Sequence, residues 1–194
     1  MLELIQKLDE WIIISLNGSN SPFWDPVMWW ISGKTSWWPL YLALIVFIFW
    51  KKKWKEGGLI FLLTMIVIAL SDQTSVHFFK EVFHRPRPSH NPSIEHLLNY
   101  VNNYKGGTYG FISSHASNSF AVAGFLSLVF RLRWLTILLL LWASLVSYSR
   151  IYLGVHYLTD ILAGAIWGLL ISAGMFRIYL TIIRFARFGM HRKK

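Results

Sequence analysis

The sequence predicts an all-α membrane protein, a polytopic bundle of about five transmembrane helices that follows helices lying at the membrane surface. Of its 194 residues, 55% are hydrophobic and only 14% are charged, whereas a soluble domain usually carries about 25% charged residues. The 11 tryptophans fit the same class, because tryptophan collects at the level of the lipid headgroups. A chain of this length forms one domain, which we expect to cover residues 1–194.

Apolar segments place the transmembrane core at residues 36–180. A spanning helix needs roughly 17–25 mostly apolar residues, and five segments meet or approach this length. They cover residues 36–51, 57–79, 114–131, 133–150 and 156–180. The third and fourth are joined only by Arg-Leu-Arg, so we expect them to form a tight antiparallel pair. Residues 181–194 are predicted to be a basic cytoplasmic tail.

Residues 1–34 have a different pattern. Leu2, Ile5 and Leu8 recur at helical spacing between charged residues, which is typical of a helix lying in the membrane interface. After a break rich in Asn, Ser and Pro, residues 23–32 predict a second short interfacial helix. A sixth span over residues 22–34 would be too short and would carry Asp25 through the membrane.

The chain has a net charge of +10, which by itself could indicate a nucleic-acid partner. Most of the Lys and Arg residues flank apolar segments, so we expect a membrane partner and no nucleic acid. One side of the membrane receives 12 of the 19 basic residues, in residues 51–55, 131–133 and 177–194. The positive-inside rule then predicts a cytoplasmic C-terminus in the cell (inner) membrane, with residues 80–113 and 150–156 facing the periplasm or exterior.

Polar residues converge at that outer face. Lys80 ends the second span, Ser113 to His115 open the third, Arg150 ends the fourth and His156 opens the fifth. Ionisable groups at such depth are costly unless they pair or serve a site. The topology therefore predicts a functional site where these helix ends meet.

The first cluster contains two cations. Lys80 and Arg87 are seven residues apart, and Pro86 and Pro88 stiffen the chain around Arg87. An anion between the two cations would relieve their repulsion, and Arg and Lys both bind phosphate. The alternative is a pair of basic residues whose charged ends reach the interface.

The second cluster is a polar helix start. Ser113 or Ser114 can cap the helix, and the free backbone amides there favour an anion. His115, in the first turn, could give a proton to a departing oxygen. An ordinary serine cap with an interfacial histidine is the alternative.

The third cluster joins His156 and Asp160, which are four residues apart and so lie on one helix face. The carboxylate can accept a proton from one imidazole nitrogen, which leaves the other nitrogen as a nucleophile. Arg150 adds a third cation, and a structural His–Asp pair is the alternative reading. Asp72, inside the second span, is expected to support the site indirectly rather than to act in catalysis. Arg85 is expected to pair with Glu81 at i+4 spacing.

Together the three clusters resemble the three-part signature of the PAP2 (type 2 phosphatidic acid phosphatase) superfamily. That superfamily includes membrane lipid phosphatases, glucose-6-phosphatase and vanadium haloperoxidases. The matching residues are Lys80-x6-Arg87-Pro88, Ser113-Ser114-His115 and Ser149-Arg150-x5-His156-x3-Asp160, and the resemblance runs from about Leu70 to Gly168. The usual second motif is Pro-Ser-Gly-His, in which Ile112 here replaces Pro and Ser114 replaces Gly.

The resemblance implies a role for each residue. His156 would attack phosphorus and form a phosphohistidine, Asp160 would orient it, and His115 would protonate the leaving group and then activate water. The residues expected to bind the phosphoryl oxygens are Lys80, Arg87, Arg150, Ser113 and Ser114. No metal or other cofactor is expected, and the absence of cysteine excludes thiolate catalysis and cysteine-ligated metal.

A site at headgroup depth suits a lipid phosphate in the bilayer as substrate. The resemblance favours an undecaprenyl diphosphate or lipid A phosphatase, with phosphatidate or phosphatidylglycerophosphate as alternative substrates. A non-catalytic lipid-binding protein, a phosphatase of soluble esters and a vanadate-dependent peroxidase are further alternatives, although five apolar spans argue against the soluble peroxidases. Residues 89–112 are expected to form the outer rim, with a short helix over 93–101. No sequence feature indicates an oligomeric state.

Overall fold

A computed structural model describes residues 2–191, with side chains from residue 3 to residue 186. Every regular element in this range is helical, which confirms the all-α prediction. The α-helices are α1 (Leu2–Asn17), α2 (Trp24–Ser32), α3 (Trp38–Lys51), α4 (Trp54–Thr74), α5 (Ser114–Phe130), α6 (Arg133–Tyr152) and α7 (Leu158–His191). A π-helical turn over Ser75–Lys80 and a last helical turn over Glu81–Phe83 extend α4.

Length and hydropathy make three of the described helices candidates to cross a membrane: Trp54–Phe83, Arg133–Tyr152 and Leu158–Ala186. A fourth candidate is a broken span, in which α2 and residues Thr35–Lys51 meet at a bend of 81°. Helices α3 and α5, with 14 and 17 residues, are short for a span of roughly 20. The multi-pass helix bundle is confirmed, and the predicted number of five spans is approximate.

Helix α5 lies at the centre of the bundle and packs against α4, α6 and α7. Its contact with α7 is close because α7 presents glycine there: a Cβ atom on Gly164 would lie 2.7 Å from the Ser113 carbonyl oxygen. One on Gly168 would collide with the Ser117 carbonyl. Small residues of this kind let helices approach in membranes, where packing contacts replace the hydrophobic effect. The contact joins the starts of α5 and α7, which carry two of the three motif clusters.

The apolar core fills the bundle away from the motif clusters. Ile60 on α4, Phe125 and Leu126 on α5, and Leu139 on α6 are all fully buried within it. Large apolar side chains on the outer surfaces of the same helices are exposed, as expected where lipid covers them. The motif clusters therefore lie beyond this apolar core, at one end of the bundle.

Helix α1 packs against the bundle through buried side chains and hydrogen bonds, in addition to the surface position that its sequence predicts. Ile13 and Asn17 are buried, and the Asn17 amide donates to the carbonyls of Tyr152, at 2.7 Å, and Asn99, at 2.9 Å. These bonds tie α1 to the end of α6 and to the outer loop. The first residue of the predicted interfacial segment, Met1, lies outside the described residues.

One local prediction is wrong. The expected helix over residues 93–101 is replaced by 3₁₀ turns at Glu95–Leu97 and Val101–Asn103, because the extended backbone of Leu98 (φ −100°, ψ 143°) and Tyr100 (φ −114°, ψ 105°) interrupts it. The predicted tail from residue 181 continues α7 as far as His191. Residues 192–194 of that tail lie outside the described residues.

Candidate active site

His156 lies in the turn between α6 and α7 and is only 1% exposed. Its Nε2 atom is 3.0 Å from the Arg87 guanidinium, and its Nδ1 atom is 3.4 Å from Asp160 Oδ2. Since a guanidinium only donates, Nε2 must accept, and the ring proton therefore lies on Nδ1 and faces the carboxylate. The two neighbours thus fix the tautomer that leaves a lone pair on Nε2.

The His156 ring is held in its neutral form. Burial first, and then the charges of Arg87 and Arg150, lower the pKa of His156 well below its usual 6.5. A protonated imidazole has no free lone pair, so a neutral ring is the form that a nucleophile needs.

The loop around Arg87 is shaped to hold its side chain. Arg87 also donates to the carbonyls of Tyr109 and Val155, each at 3.2 Å. A Cβ atom on Gly110 would lie 3.0 Å from Arg87 Cγ, so glycine makes room for it. Burial and the charge of Arg150 lower the pKa of Arg87 to about 10, which still leaves it charged at neutral pH.

Asp160 is fully buried and accepts two bonds besides its contact with His156. Arg85 donates to its Oδ1 at 2.8 Å, and the Tyr157 amide donates to Oδ2 at 3.1 Å. The predicted Glu81–Arg85 pair is therefore wrong, because Glu81 pairs with His77 at 2.8 Å. The left-handed His84 (φ 46°) ends the helix before Arg85, so i+4 helical spacing does not apply.

Arg85 is thus a site residue that the sequence reasoning missed. The signal that could have found it is its spacing of two from Arg87 in the proline-rich segment. Alternate side chains of an extended chain point to the same side, and here both arginines turn toward the His156–Asp160 pair.

Two more cations stand across from His156. Lys80 Nζ donates to the Ser114 hydroxyl at 2.5 Å, and that hydroxyl is 2.6 Å from the Ser75 hydroxyl. Arg150 is 3% exposed, and it donates to Tyr104 at 3.1 Å and to the hydroxyl of Ser32 on α2. The partners from α2 and the outer loop were not anticipated from the sequence.

A cavity of about 700 Å³ brings these groups together. The predicted site residues in its wall are Lys80, Arg87, Ser114, His115, Arg150, His156 and Asp72. The rest of the wall is mixed: it includes a further cation, Lys34, the polar side chains of Ser32, Gln73 and Ser119, and the apolar side chains of Trp37, Met65, Ile68, Val122, Trp142 and Val146. A cationic end and an apolar end in one cavity suit an amphipathic anion.

A second cavity, of about 850 Å³, adjoins the first on the side of α2 and the outer loop. The two share His115, Arg150 and Tyr104. The second is lined by aromatic and polar side chains that include Trp29, Trp30, Tyr100, Asn102 and Asp25.

Ser113 and Asp72 are bound mainly by neighbouring protein groups. Ser113 does not line either cavity; its Oγ caps α5 by accepting from the Ala116 amide at 3.5 Å, and its own N–H donates to the Asp160 carbonyl at 3.0 Å. Asp72 lines the first cavity and accepts from Asn118 at 3.0 Å. Among the described residues, no three His, Asp or Glu side chains are grouped as a metal site would require.

Comparison with known proteins agrees with this arrangement. The model of the PAP2 superfamily matches residues 57–184, a segment that contains all three motif clusters, and the chain belongs to this superfamily. It is 37% identical over 179 residues to the lipid A 4'-phosphatase of Porphyromonas gingivalis, covering 92% of this chain and 76% of that protein. It is 40% identical over 170 residues to the lipid A 4'-phosphatase of Bacteroides thetaiotaomicron, covering 87% and 75%.

A solved structure of a PAP2-type phosphatase has the same fold. The chain is similar, with a TM-score of 0.67 and 26% identity, to the transmembrane PAP2-type phosphatidylglycerolphosphate phosphatase of Bacillus subtilis, covering 93% of this chain and 87% of that one. The chain is therefore a multi-pass membrane lipid phosphatase of the PAP2 type, a phosphoric ester hydrolase that acts on lipid substrates.

Proposed function

We propose that this phosphatase removes phosphate from a lipid A-type glycolipid through a phosphohistidine formed on His156. The observation that carries the proposal is the position of His156, whose Nε2 atom lies 3.0 Å from the Arg87 guanidinium in a cavity wall shared with Lys80 and Arg150. A phosphate held by those three cations would lie beside the nitrogen that attacks it. A planar guanidinium can donate two parallel hydrogen bonds to two oxygens of one phosphate group.

In the first step, Nε2 of His156 bonds to phosphorus while the bond from phosphorus to the ester oxygen breaks. Arg87 donates to that same nitrogen, so its N–H must move to a phosphoryl oxygen when substrate binds. His115 must be an imidazolium in this step, and it gives one proton to the departing alkoxide and becomes neutral. Asp160 accepts from Nδ1 and stabilises the positive charge that the ring gains, while the cations stabilise the charge on the phosphoryl oxygens.

In the second step, His115 takes a proton from water, and the resulting hydroxide attacks phosphorus. The bond from phosphorus to Nε2 breaks, the electron pair returns to the ring, and inorganic phosphate leaves. Ser114 and the backbone amides at the start of α5 are further donors for the phosphoryl oxygens, since first-turn amides lack acceptors within their helix. No step in this scheme needs a metal or another cofactor.

The lipid A-type substrate rests on two observations. Both bacterial relatives above are lipid A 4'-phosphatases. The second cavity offers aromatic and polar side chains beside the phosphate-binding residues, which suits a bulky polar head group better than a bare polyprenyl chain. Phosphatidylglycerophosphate is the second candidate, because the Bacillus subtilis phosphatase shares the fold at 26% identity.

We further propose that the enzyme lies in the inner membrane with its site facing the periplasm. The basic residues around Lys51–Lys55, Arg131 and Arg133 adjoin the helix ends opposite the site. The positive-inside rule assigns those ends, and the C-terminal end of α7, to the cytoplasm.

A phosphate-release panel tests the proposal. The purified enzyme is assayed in detergent on lipid A, undecaprenyl diphosphate, phosphatidate and phosphatidylglycerophosphate, with His156→Ala as the blank. We expect the highest kcat/KM on lipid A, no release by the variant, and an acid-labile phosphoenzyme in the wild type only. Release by His156→Ala would overturn the mechanism, and a preference for another lipid would overturn the substrate.

A further inference from the structure

Helix α1 carries a buried carboxylate that reaches the catalytic end of the bundle. Asp9 is 1% exposed, and its Oδ2 lies 2.8 Å from Arg85. The backbone amide of Thr159, in the first turn of α7, donates to Asp9 Oδ1 at 3.1 Å, and the Thr159 hydroxyl donates to Oδ2. Asp9 lies well before residue 57, where the match to the superfamily begins, so it is not one of the motif residues.

Arg85 connects this carboxylate to Asp160. One terminal nitrogen of its guanidinium donates to Asp9 at 2.8 Å, and the other donates to Asp160 at 2.8 Å and to the Thr159 hydroxyl at 2.7 Å. The guanidinium also lies 4.2 Å above the Tyr157 ring. Burial works against its charge, but Asp160 and Asp9 raise the pKa of Arg85 above its usual value. Arg85 is therefore a permanent cation between two carboxylates.

The charge count explains why two carboxylates are needed. Arg85 and Asp160 alone would form a neutral pair. Such a pair would give little electrostatic stabilisation to the His156 ring, which becomes cationic when it attacks phosphorus. With Asp9 included, the group carries a net charge of −1 on the Nδ1 side of His156. The Nε2 side of the ring faces Lys80, Arg87 and Arg150 in the cavity wall. A negative charge on the Nδ1 side therefore stabilises the cationic ring strongly, because electrostatic interactions are stronger in a buried site than in water.

We propose that Asp9 is a positioning residue of the phosphatase reaction, which acts through Arg85 to orient Asp160 and to keep the group behind His156 negative. The inference rests on the proposed role of His156 as nucleophile. It assigns α1 a part in catalysis beyond attachment to the membrane surface.

The test begins with Asp9→Asn, which removes the charge and keeps the shape. We expect kcat to fall about 10-fold to 100-fold, as is common when a partner of a directly acting group is lost, while KM changes less than about threefold. The matched control is Glu10→Gln. Glu10 follows Asp9 on the same helix but accepts from Gln6 and Asn91 instead, so we expect its kcat to stay within about twofold.

A double-mutant cycle separates this role from a structural one, because Asp9 also holds the start of α7 through Thr159. If Asp9 acts through Arg85, Asp9→Asn will lower kcat less than twofold in an Arg85→Gln background, since interacting residues are not additive. Arg85 also donates to the Thr159 hydroxyl at 2.7 Å, so the Thr159 route is tested separately with Thr159→Val, which removes that hydroxyl. If Thr159→Val lowers kcat as much as Asp9→Asn does, Asp9 acts by holding Thr159, and the proposal is overturned. An unchanged kcat in Asp9→Asn alone also overturns it.

Folding and the parent proposal are controlled in the same experiment. Thermal unfolding in detergent gives the folded fraction by which each kcat is divided, and Asp9→Glu, which keeps the charge, should retain more activity than Asp9→Asn. If Asp9→Asn does not fold, an Asp9→Glu enzyme that folds but is inactive overturns the proposal, and one that is active supports it. Release by His156→Ala would instead show that the proposed function fails.

Discussion

The two sides of the His156 ring differ in charge and in access. On the Nε2 side stand Arg87, Lys80 and Arg150, three cations that line a cavity. On the Nδ1 side stands Asp160, which is fully buried and held by Arg85 and the Tyr157 amide. One side is cationic and opens to a space that can hold a ligand, while the other is closed by partners within the protein.

The difference distinguishes the cation that the protein itself neutralises, Arg85, from a cation that a bound anion could neutralise, Arg150. Arg85 on the closed side is flanked by two carboxylates, whereas the partners of Arg150 among the described side chains are the hydroxyls of Ser32 and Tyr104 and the Tyr104 ring. Buried charges are costly unless they are paired. A phosphate dianion would supply the missing partner on the open side, and the closed side holds the nucleophile ready for it.

The largest effect is expected from breaking the closed side at Asp160. Asp160→Asn removes the negative charge that stabilises the Nδ1–H form of the ring, and its NH2 group can donate to Nδ1 and so favour the wrong tautomer. We expect kcat to fall by about 10³-fold to 10⁴-fold, the loss seen when such a carboxylate is replaced in a catalytic triad. Steady-state phosphate release per folded enzyme measures it, and a loss below tenfold would contradict the role of Asp160.

The next effect comes from the open side. Arg87→Lys keeps a positive charge but loses the planar fork that contacts Nε2, Tyr109 and Val155. We expect kcat/KM to fall by about 10²-fold to 10³-fold, as when one donor to a developing oxyanion is removed. Arg131→Lys, an exposed arginine at the other end of the bundle, is the matched control. Equal activity of the two variants would show that Arg87 acts only as a charge.

The pH profile sharpens the comparison with a smaller effect. Burial, and then Arg87 and Arg150, lower the pKa of His156 well below 6.5, so the active neutral ring persists at pH 6.5 and is lost only as the pH falls through the lowered pKa. On a substrate whose leaving group needs no proton from His115, such as p-nitrophenyl phosphate, we expect kcat/KM at pH 6.5 to be about equal to that at pH 7.5, whereas an unshifted His156 ring would give about half. The second ionisation of the substrate phosphate, near pH 6, is titrated by phosphorus NMR and divided out.

The smallest effect on activity is expected at the close contact between α5 and α7, the helices whose starts carry the site residues. Gly168→Ala places a methyl group against the Ser117 carbonyl, so α7 must move away from α5. We expect a loss of about 1–3 kcal/mol in stability, with a lower Tm in detergent and little change in activity per folded enzyme. Gly174→Ala is the matched control, because nothing lies within 4 Å of the added atom. A Tm equal to that of the control would contradict the close packing.

Much of the site could be predicted from the sequence because its chemistry is encoded in short spacings. The separation of His156 from Asp160 and that of Lys80 from Arg87 are local features. Hydropathy then indicates which helix ends share a membrane face. Arg87 and His156 are 69 residues apart in sequence and meet at 3.0 Å, as the shared face predicted.

The role of Ser113 shows where such reasoning stops. Residue type and position allowed Ser113 either to cap the helix or to bind phosphate. The packing of α5 against α7 directs the Ser113 amide to the Asp160 carbonyl, at 3.0 Å, while the Ser113 hydroxyl accepts from the Ala116 amide and Ser114 lies in the cavity wall. No local pattern encodes these contacts.

By itself the sequence determined a helical membrane protein with three cations, two histidines and a carboxylate at one face, because hydropathy and short-range spacing depend on the local chain alone. Only the tertiary structure decided that Arg85 pairs with Asp160 rather than with Glu81, and that Asp9, 76 residues before Arg85, is its second carboxylate partner. The physical reason is that a charged side chain takes the partner that packing brings within reach in a buried site, and no local pattern encodes that distance.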